Sequence, residues 1–244
     1  MAQISRRFIK PLIPPIIYGI PKFFTYLIKG KNKYSGTFFD EEGVSLDQKL
    51  EKYLNYSDGY FIELGANNGV DQSNTLYFEK YKNWRGTLIE PSPENFLRCL
   101  DNRSVMTKIF CNACVSFEYQ ERFVEIAFGN LMSSPVGLES DLIDPVSHAK
   151  NGNRVTLIPV YGAVARTLND ILVEAGAPIE IDLLSLDVEG AEIEVLKGVD
   201  HQHFKFKYIC VECRDIEKMK KYLEPLGYKL IDKLSIHDYL FSKN

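Results

Sequence analysis

The tightest constraint on how this chain can fold is the run Tyr60-Phe61-Ile62-Glu63-Leu64-Gly65-Ala66-Asn67-Asn68-Gly69. A short apolar strand ends beside an acid and breaks at once into a glycine-bearing loop, the order in which parallel α/β sheets build a ligand-binding turn. Gly65 and Gly69 lack a Cβ, so the backbone can take positive φ and approach a bound molecule closely, and Ala66 between them adds little bulk. A second apolar run, Gly86-Thr87-Leu88-Ile89-Glu90, closes on an acid 21 residues after Gly69. That is the position from which a carboxylate accepts hydrogen bonds from ribose hydroxyls.

The loop is spaced Gly-x-x-x-Gly, with Asn67 where a dinucleotide fingerprint carries its middle glycine. Glu63 would also repel a pyrophosphate, whereas it would attract a ligand bearing an ammonium and a sulfonium. Together the two strand ends point to S-adenosylmethionine. A doubly wound nucleotide-binding oxidoreductase is the rival reading, and a catalytically inactive scaffold of the same fold is another.

With 244 residues, 45% hydrophobic and 25% charged, the chain is long enough for one sizeable core and short for two. Charge divides it. Residues 1 to 39 hold seven basic residues (Arg6, Arg7, Lys10, Lys22, Lys29, Lys31, Lys33) and no acid, so with a net charge of −4 overall the remainder is near −11, a poor general binder of nucleic acid. The apolar stretch from Pro11 to Ile28 is interrupted by Pro11, Pro14, Pro15, Pro21 and Lys22 and should not cross a bilayer. A segment packed on the core, a peripheral membrane anchor formed by residues 1–39, or a pocket cover or oligomer contact are the readings it leaves open. No cleavable signal pattern precedes it, and the chain reads as cytoplasmic, at most peripheral to a membrane. Two Cys-x-x-Cys pairs, Cys111/Cys114 and Cys210/Cys213, sit in strand-like runs that turn residues three apart to opposite faces, so buried free thiols are expected in preference to a zinc site.

The organisation reads as a basic and apolar extension (1–44) followed by one α/β domain (45–244) with an inserted hairpin and loop at about 117–165. Ser45 and Gln48 form a capping-box pattern ahead of Leu46, Leu50 and Leu54. Residues 73 to 81 read as a helix after the glycine loop, and another opens near Pro93. A third strand is expected near Ile109 to Ser116, then alternating runs around 123–128 and 155–160, separated by a polar stretch from Gly129 to Asn153. That stretch is long for an idle connection and is a candidate substrate loop in which Ser133, Ser134 and His148 would contact an acceptor. A helix around 167–175, a strand ending at Asp187, a helix stopped by Gly198 and a strand ending at Glu212 follow. The chain closes with a helix near 215–224 and strands near 229–234 and 239–242. The pair His201 and His203 reads as a solvated loop feature.

Four strands thus each end in an acid, Glu63, Glu90, Asp187 and Glu212, and in an open parallel sheet they should converge on one crevice. Such a rim calls for positive charge, from a sulfonium and amino group or from a divalent metal held by oxygen ligands.

These residues carry a family resemblance. Glu63-Leu64-Gly65-Ala66-Asn67-Asn68-Gly69-Val70, Ser73-Asn74-Thr75, Leu88-Ile89-Glu90-Pro91 and Leu184-Ser185-Leu186-Asp187-Val188-Glu189-Gly190-Ala191-Glu192, with Val195-Leu196-Lys197-Gly198 behind, resemble the FkbM-type S-adenosylmethionine-dependent methyltransferases over roughly residues 58–243. The resemblance implies a Rossmann-like class I methyltransferase fold, a doubly wound seven-stranded sheet ending in an antiparallel hairpin, and O-methylation of hydroxyl groups, commonly on sugars, glycolipids, polysaccharides or secondary metabolites. It places Glu63, Gly65, Ala66, Asn67, Asn68 and Gly69 around the methionine part of the donor, with Ser73 and Asn74 beside them. Glu90, with Pro91 behind it, would take the ribose, Asn112 and Ala113 would border the adenine, and Asp187 would face the donor. For the reaction, the strand-to-helix elbow makes Asp187 the first choice of base and Glu189 the second, with Glu212 orienting the acceptor or sharing a metal. The acceptor itself, the need for a metal and the oligomeric state stay open.

Overall fold

The computed structural model describes residues 33–36, 43–152 and 157–243. Segment 1–32, which carries most of the membrane-anchor expectation, lies outside the described residues, as do 155–156 of the expected run at 155–160. Among the described residues no helix is long and apolar enough to cross a membrane.

Seven strands form the main sheet: β1 (Tyr60–Leu64), β2 (Arg85–Ile89), β3 (Lys108–Phe110), β8 (Glu180–Leu186), β9 (Lys205–Glu212), β10 (Tyr228–Lys233) and β11 (Asp238–Lys243). Their order is β10-β11-β9-β8-β1-β2-β3. The strands from β3 to β9 run parallel, and β11 is antiparallel to both β9 and β10. From β1 the chain winds outward through β2 and β3, then returns to the other side of β1 as β8 and β9. The order reverses between β1 and β8, and at such a switch point loops leaving the two strands in opposite directions open a crevice.

Because helices cover both faces, the central strands are buried throughout and read as apolar runs; β1 has no exposed position. Alternation still decides which face each residue meets. Ile62 and Leu64 pack with Leu184, Leu186 and Ile209 beneath the helices α5 (Leu168–Ala175), α6 (Glu192–Leu196) and α7 (Ile216–Leu223). Phe61, Leu88, Leu183 and Cys210 pack on the opposite face with α1 (Leu46–Leu50), α2 (Leu76–Tyr81) and Cys99 of α3 (Pro93–Asn102).

Local signals explain most element ends. Ser92 caps α3, its Oγ accepting from the Asn95 N–H, with Pro93 in the first turn. Thr167 caps α5 in the same way, and Gly176 ends it in the left-handed conformation. Helix α1 forms where expected but without the capping box: the Ser45 side chain makes no cap bond and instead donates to Asp47 Oδ1 at 2.5 Å.

The expected third strand is two strands. After β3 the chain bends at Cys111-Asn112, and β4 (Ala113–Val115) leaves the main sheet to pair with β7 (Val160–Thr167). Asn112 pins the bend by donating from Nδ2 to Val164 O at 3.1 Å. A second sheet, ordered β4-β7-β5-β6, is completed by β5 (Phe123–Ala127) and β6 (Ser134–Val136). The stretch from Gly129 is also more structured than a loop. It holds a 3₁₀ turn (Asn130–Met132), β6, and α4 (Pro145–Gly152). Asp144 ahead of Pro145 was the legible signal for α4: its carboxylate accepts the Ser147 N–H at 3.0 Å, satisfying an otherwise unpaired helix-start donor. All five cysteines are free thiols.

Candidate active site

A cavity of about 430 Å³ opens at the β1/β8 switch point, within the range typical of small-molecule sites. Gly65, Asn67, Glu90, Pro91, Asn112, Ala113, Asp187, Glu189, Glu212, His148 and Ser133, all singled out in the sequence, line it. Asp71, Gln72 and Arg214, which the sequence reading passed over, line it too, with His237 and an apolar wall of Ile126, Leu131, Met132, Pro135 and Leu138.

Gly65 is required where it stands. Its φ is +77°, and a Cβ there would lie 1.9 Å from the Asp187 carbonyl oxygen, so any side chain would force β1 and β8 apart. Past it, Asn67 also takes positive φ, and its N–H donates to Glu90 Oε2 at 2.8 Å. The other oxygen of Glu90 accepts the Ser92 N–H at 2.9 Å. Glu90 therefore ties the first glycine turn to the start of α3 while keeping an edge on the cavity. Burial pushes its carboxyl up to about 7, against the pull of these N–H donors.

Three of the four strand-end acids meet in the crevice; Glu63 does not. It sits with Phe61 on the opposite side of β1 from Leu64, which lines the cavity. There it is fully engaged: Arg103 Nη1 lies 3.2 Å from Glu63 Oε2, the same oxygen accepts from Ser73 Oγ and Thr75 Oγ1, and Oε1 accepts the Asn74 N–H. Glu63, Ser73 and Asn74 thus build the floor under the loop instead of its ligand face, and Glu63 already has its cation in Arg103. Ala66, Asn68 and Gly69 are likewise off the cavity wall. Asn68 spends its side chain on the loop, accepting from the Val70 and Asp71 N–H groups, and a Cβ on Gly69 would run into Arg103. Ser134 is buried, its hydroxyl donated to Met132 O.

The ligand atoms of Asp187, Glu189 and Glu212 lie within 4.8 Å of one another. That spacing suits an oxygen-bound cation, yet the cluster has a cation of its own. Arg214 Nη2 is 3.2 Å from Glu189 Oε2 and 3.4 Å from Glu212 Oε1, and its backbone N–H donates to Asp141 Oδ2 at 2.7 Å. One guanidinium among three cavity-facing carboxylates and Asp141 leaves the group short of positive charge. Burial, then repulsion from Glu212 and Glu189, holds the Asp187 carboxyl well above the usual range. Glu189 is also raised, by burial and Glu212, with His148 and Arg214 pulling the other way.

Glu189 has φ +55°, a strained conformation for a residue with a side chain, and its neighbours enforce it. Glu192 Oε1 accepts from the Val188 N–H at 3.2 Å and the Gly190 N–H at 3.0 Å, while the Asp141 N–H donates to Gly190 O. So fixed, Glu189 Oε2 meets His148 Nε2 at 2.8 Å. His148 arrives on α4, from the inserted segment. The other histidines divide: His237 lines the cavity, whereas His201, expected in solvent, is buried with Nε2 on Leu196 O and its ring against Phe206, Tyr222 and Tyr228.

Similarity to known proteins extends over most of the chain. Residues 63–239 match the family described as the methyltransferase FkbM domain. The methyltransferase sdnD of Sordaria araneosa is 41% identical over 189 residues, 70% of this chain and 72% of that protein. Among solved structures, a methyltransferase FkbM from Methylobacillus flagellatus aligns at a TM-score of 0.46 and 14% identity, covering 76% of this chain; the chain spans only 43% of that protein's length. A precorrin-6y C5,15-methyltransferase from Geobacter metallireducens aligns at a TM-score of 0.41 and 13% identity over 85% of this chain and 91% of that one. At such scores the fold rests on the strand order itself.

Proposed function

The chain belongs to the FkbM methyltransferase family, and from that premise we propose that it transfers the methyl group of S-adenosylmethionine to a hydroxyl oxygen. The acceptor class we infer is a sugar, glycolipid or polysaccharide, in keeping with the resemblance read from the motifs. The observation that carries the reading is the convergence at the β1/β8 switch point of a close-packed glycine turn, Glu90 and an acid cluster short of cations.

When bound, the donor supplies a methyl carbon already activated by a sulfonium. The residues present suit it. Gly65 and Asn67 let the backbone approach a ligand beside β1, and Glu90, with Asn112 and Ala113 next to it, offers an acceptor edge for ribose hydroxyls and a slot for a flat base. Asp187, Glu189 and Glu212 offer negative potential beyond what Arg214 neutralises, which favours a cationic ligand. Because in-line displacement needs no covalent catalysis, this end of the cavity has two tasks, to align an acceptor oxygen and to remove its proton. Leu131, Met132 and Pro135 add an apolar wall to the same cavity.

Calorimetry tests this directly. S-adenosylhomocysteine should give saturable heat with one site per chain, and NAD should give none. With S-adenosylmethionine and a panel of methyl glycosides and glycolipids, a product heavier by one methyl group is expected. Heat with NAD and none with S-adenosylhomocysteine would overturn the proposal.

A further inference from the structure

We propose that His148 is the base that takes the acceptor's hydroxyl proton, held in place by Glu189; this deepens the methyl-transfer reading above and rests on it. With Glu189 as the acceptor, the 2.8 Å contact puts the ring's hydrogen on Nε2. Nδ1 is then left with a lone pair, and among the described residues it has no protein partner. A histidine whose far nitrogen is anchored on a carboxylate is the arrangement that fixes a tautomer and strengthens a base.

Three features support His148 over the carboxylates beside it. Asp187 is crowded by two other carboxylates within 4.8 Å, and Glu212 is already paired with Arg214. Glu189 Oε2 is engaged twice, by His148 and by Arg214. Moreover, the protein enforces strain to present Glu189: its left-handed backbone is braced by Glu192 on one side and Asp141 on the other. The partner is braced as well. Asp144 caps α4 one residue before Pro145, and the buried Ala149 packs on Gly129 so closely that a Cβ there would lie 2.6 Å from Ala149 O. Glu139 adds a tie across the two segments, to Lys197 and Lys218.

In the step itself the acceptor O–H bond breaks and its proton passes to Nδ1. The oxygen forms the new C–O bond as the C–S bond breaks, its electron pair remaining on sulfur. Water then carries the proton from the imidazolium to solvent. The charged group touching the ring is Glu189 from the β8–α6 elbow, a carboxylate it shares with Arg214, two residues past β9.

Nitrogen-15 NMR of histidine-labelled full-length chain, saturated with S-adenosylhomocysteine, is the test. Only four histidines are present, so comparison with His148→Gln assigns the signal. The neutral ring should carry hydrogen on Nε2, and Glu189→Ala, which removes the acceptor, should bring in a detectable share of the Nδ1–H form. Hydrogen on Nδ1 in the parent chain, or an unchanged tautomer ratio in Glu189→Ala, would overturn the assignment even with the homocysteine bound; absence of binding would instead overturn the methyl-transfer reading. On any acceptor that supports turnover, His148→Ala should lower kcat by about 10²- to 10⁴-fold, with partial rescue by added imidazole. An unchanged kcat would count against the base.

Discussion

Two clusters of acids lie on either side of β1, and they differ in how their charge is met. Beneath the glycine loop, Glu63 and Glu79 share one fully buried guanidinium: Arg103 Nη1 and Nε lie 3.2 and 3.1 Å from them, and Gly69 O, Ser73 and Thr75 take up its remaining donors. Across the strand, the largely buried Arg214 pairs with Glu189, Glu212 and Asp141, and among the described residues no cation pairs with Asp187. In the first cluster both carboxylates are paired to Arg103 and engaged by further donors, so it fixes structure. In the second, like charges stand close in a cavity, and two of its carboxyls are raised, by burial first and by that repulsion second. A protein keeps such an uncompensated group where a ligand or a reaction makes use of it.

The largest effect should come from Arg103→Leu. It strands two buried carboxylates, a loss of about 3 to 5 kcal/mol, readable as a lower urea midpoint. An unchanged midpoint would dissolve the contrast between the clusters. Asp187→Asn should act in the opposite sense, raising stability at pH 8 by about 1 kcal/mol through relief of repulsion while turnover falls; melting curves beside an activity assay separate the two. A loss of stability equal to that of Arg103→Leu would show both clusters to be structural.

A pH-dependent effect sharpens the picture at the elbow. Burial pushes Glu192 up to about 8 from an ordinary 4.5, so the folded chain keeps a proton that the unfolded chain releases between those values. Stability should therefore fall as pH rises from about 4.5 to 8, by at most a few kcal/mol from this group. Glu192→Gln retains an oxygen for the Val188 and Gly190 N–H groups and should flatten that slope. Denaturant titrations at pH 5 and pH 8 would reveal it, and a slope unchanged from the parent would rule out Glu192 as its source.

Much of the architecture was legible in the residues. The four apolar runs ending in acids, the Gly65 turn, the Asp187-to-Glu192 elbow and the terminal pair of strands appear in the structure as β1, β2, β8, β9, β10 and β11. The errors share a cause. Buried parallel strands are apolar on both faces, so periodicity does not announce which side is ligand-facing; Glu63 was grouped with Glu90 although Leu64, one residue on, is the side chain at the cavity. The bend at Cys111-Asn112 is invisible in an apolar run because both halves have strand propensity. Arg214 and Arg103 carried no local signal at all, since each is defined by partners distant in sequence.

Sequence by itself determined the strands, the turn where only glycine fits and the family, because these depend on short-range sterics and on spacing along one segment. Tertiary structure alone decided which acid became scaffold and which became site. A carboxylate's role follows from the cations, donors and solvent around it, and Arg103, Arg214 and His148 are delivered to those carboxylates from α3, from the end of β9 and from the inserted helix α4.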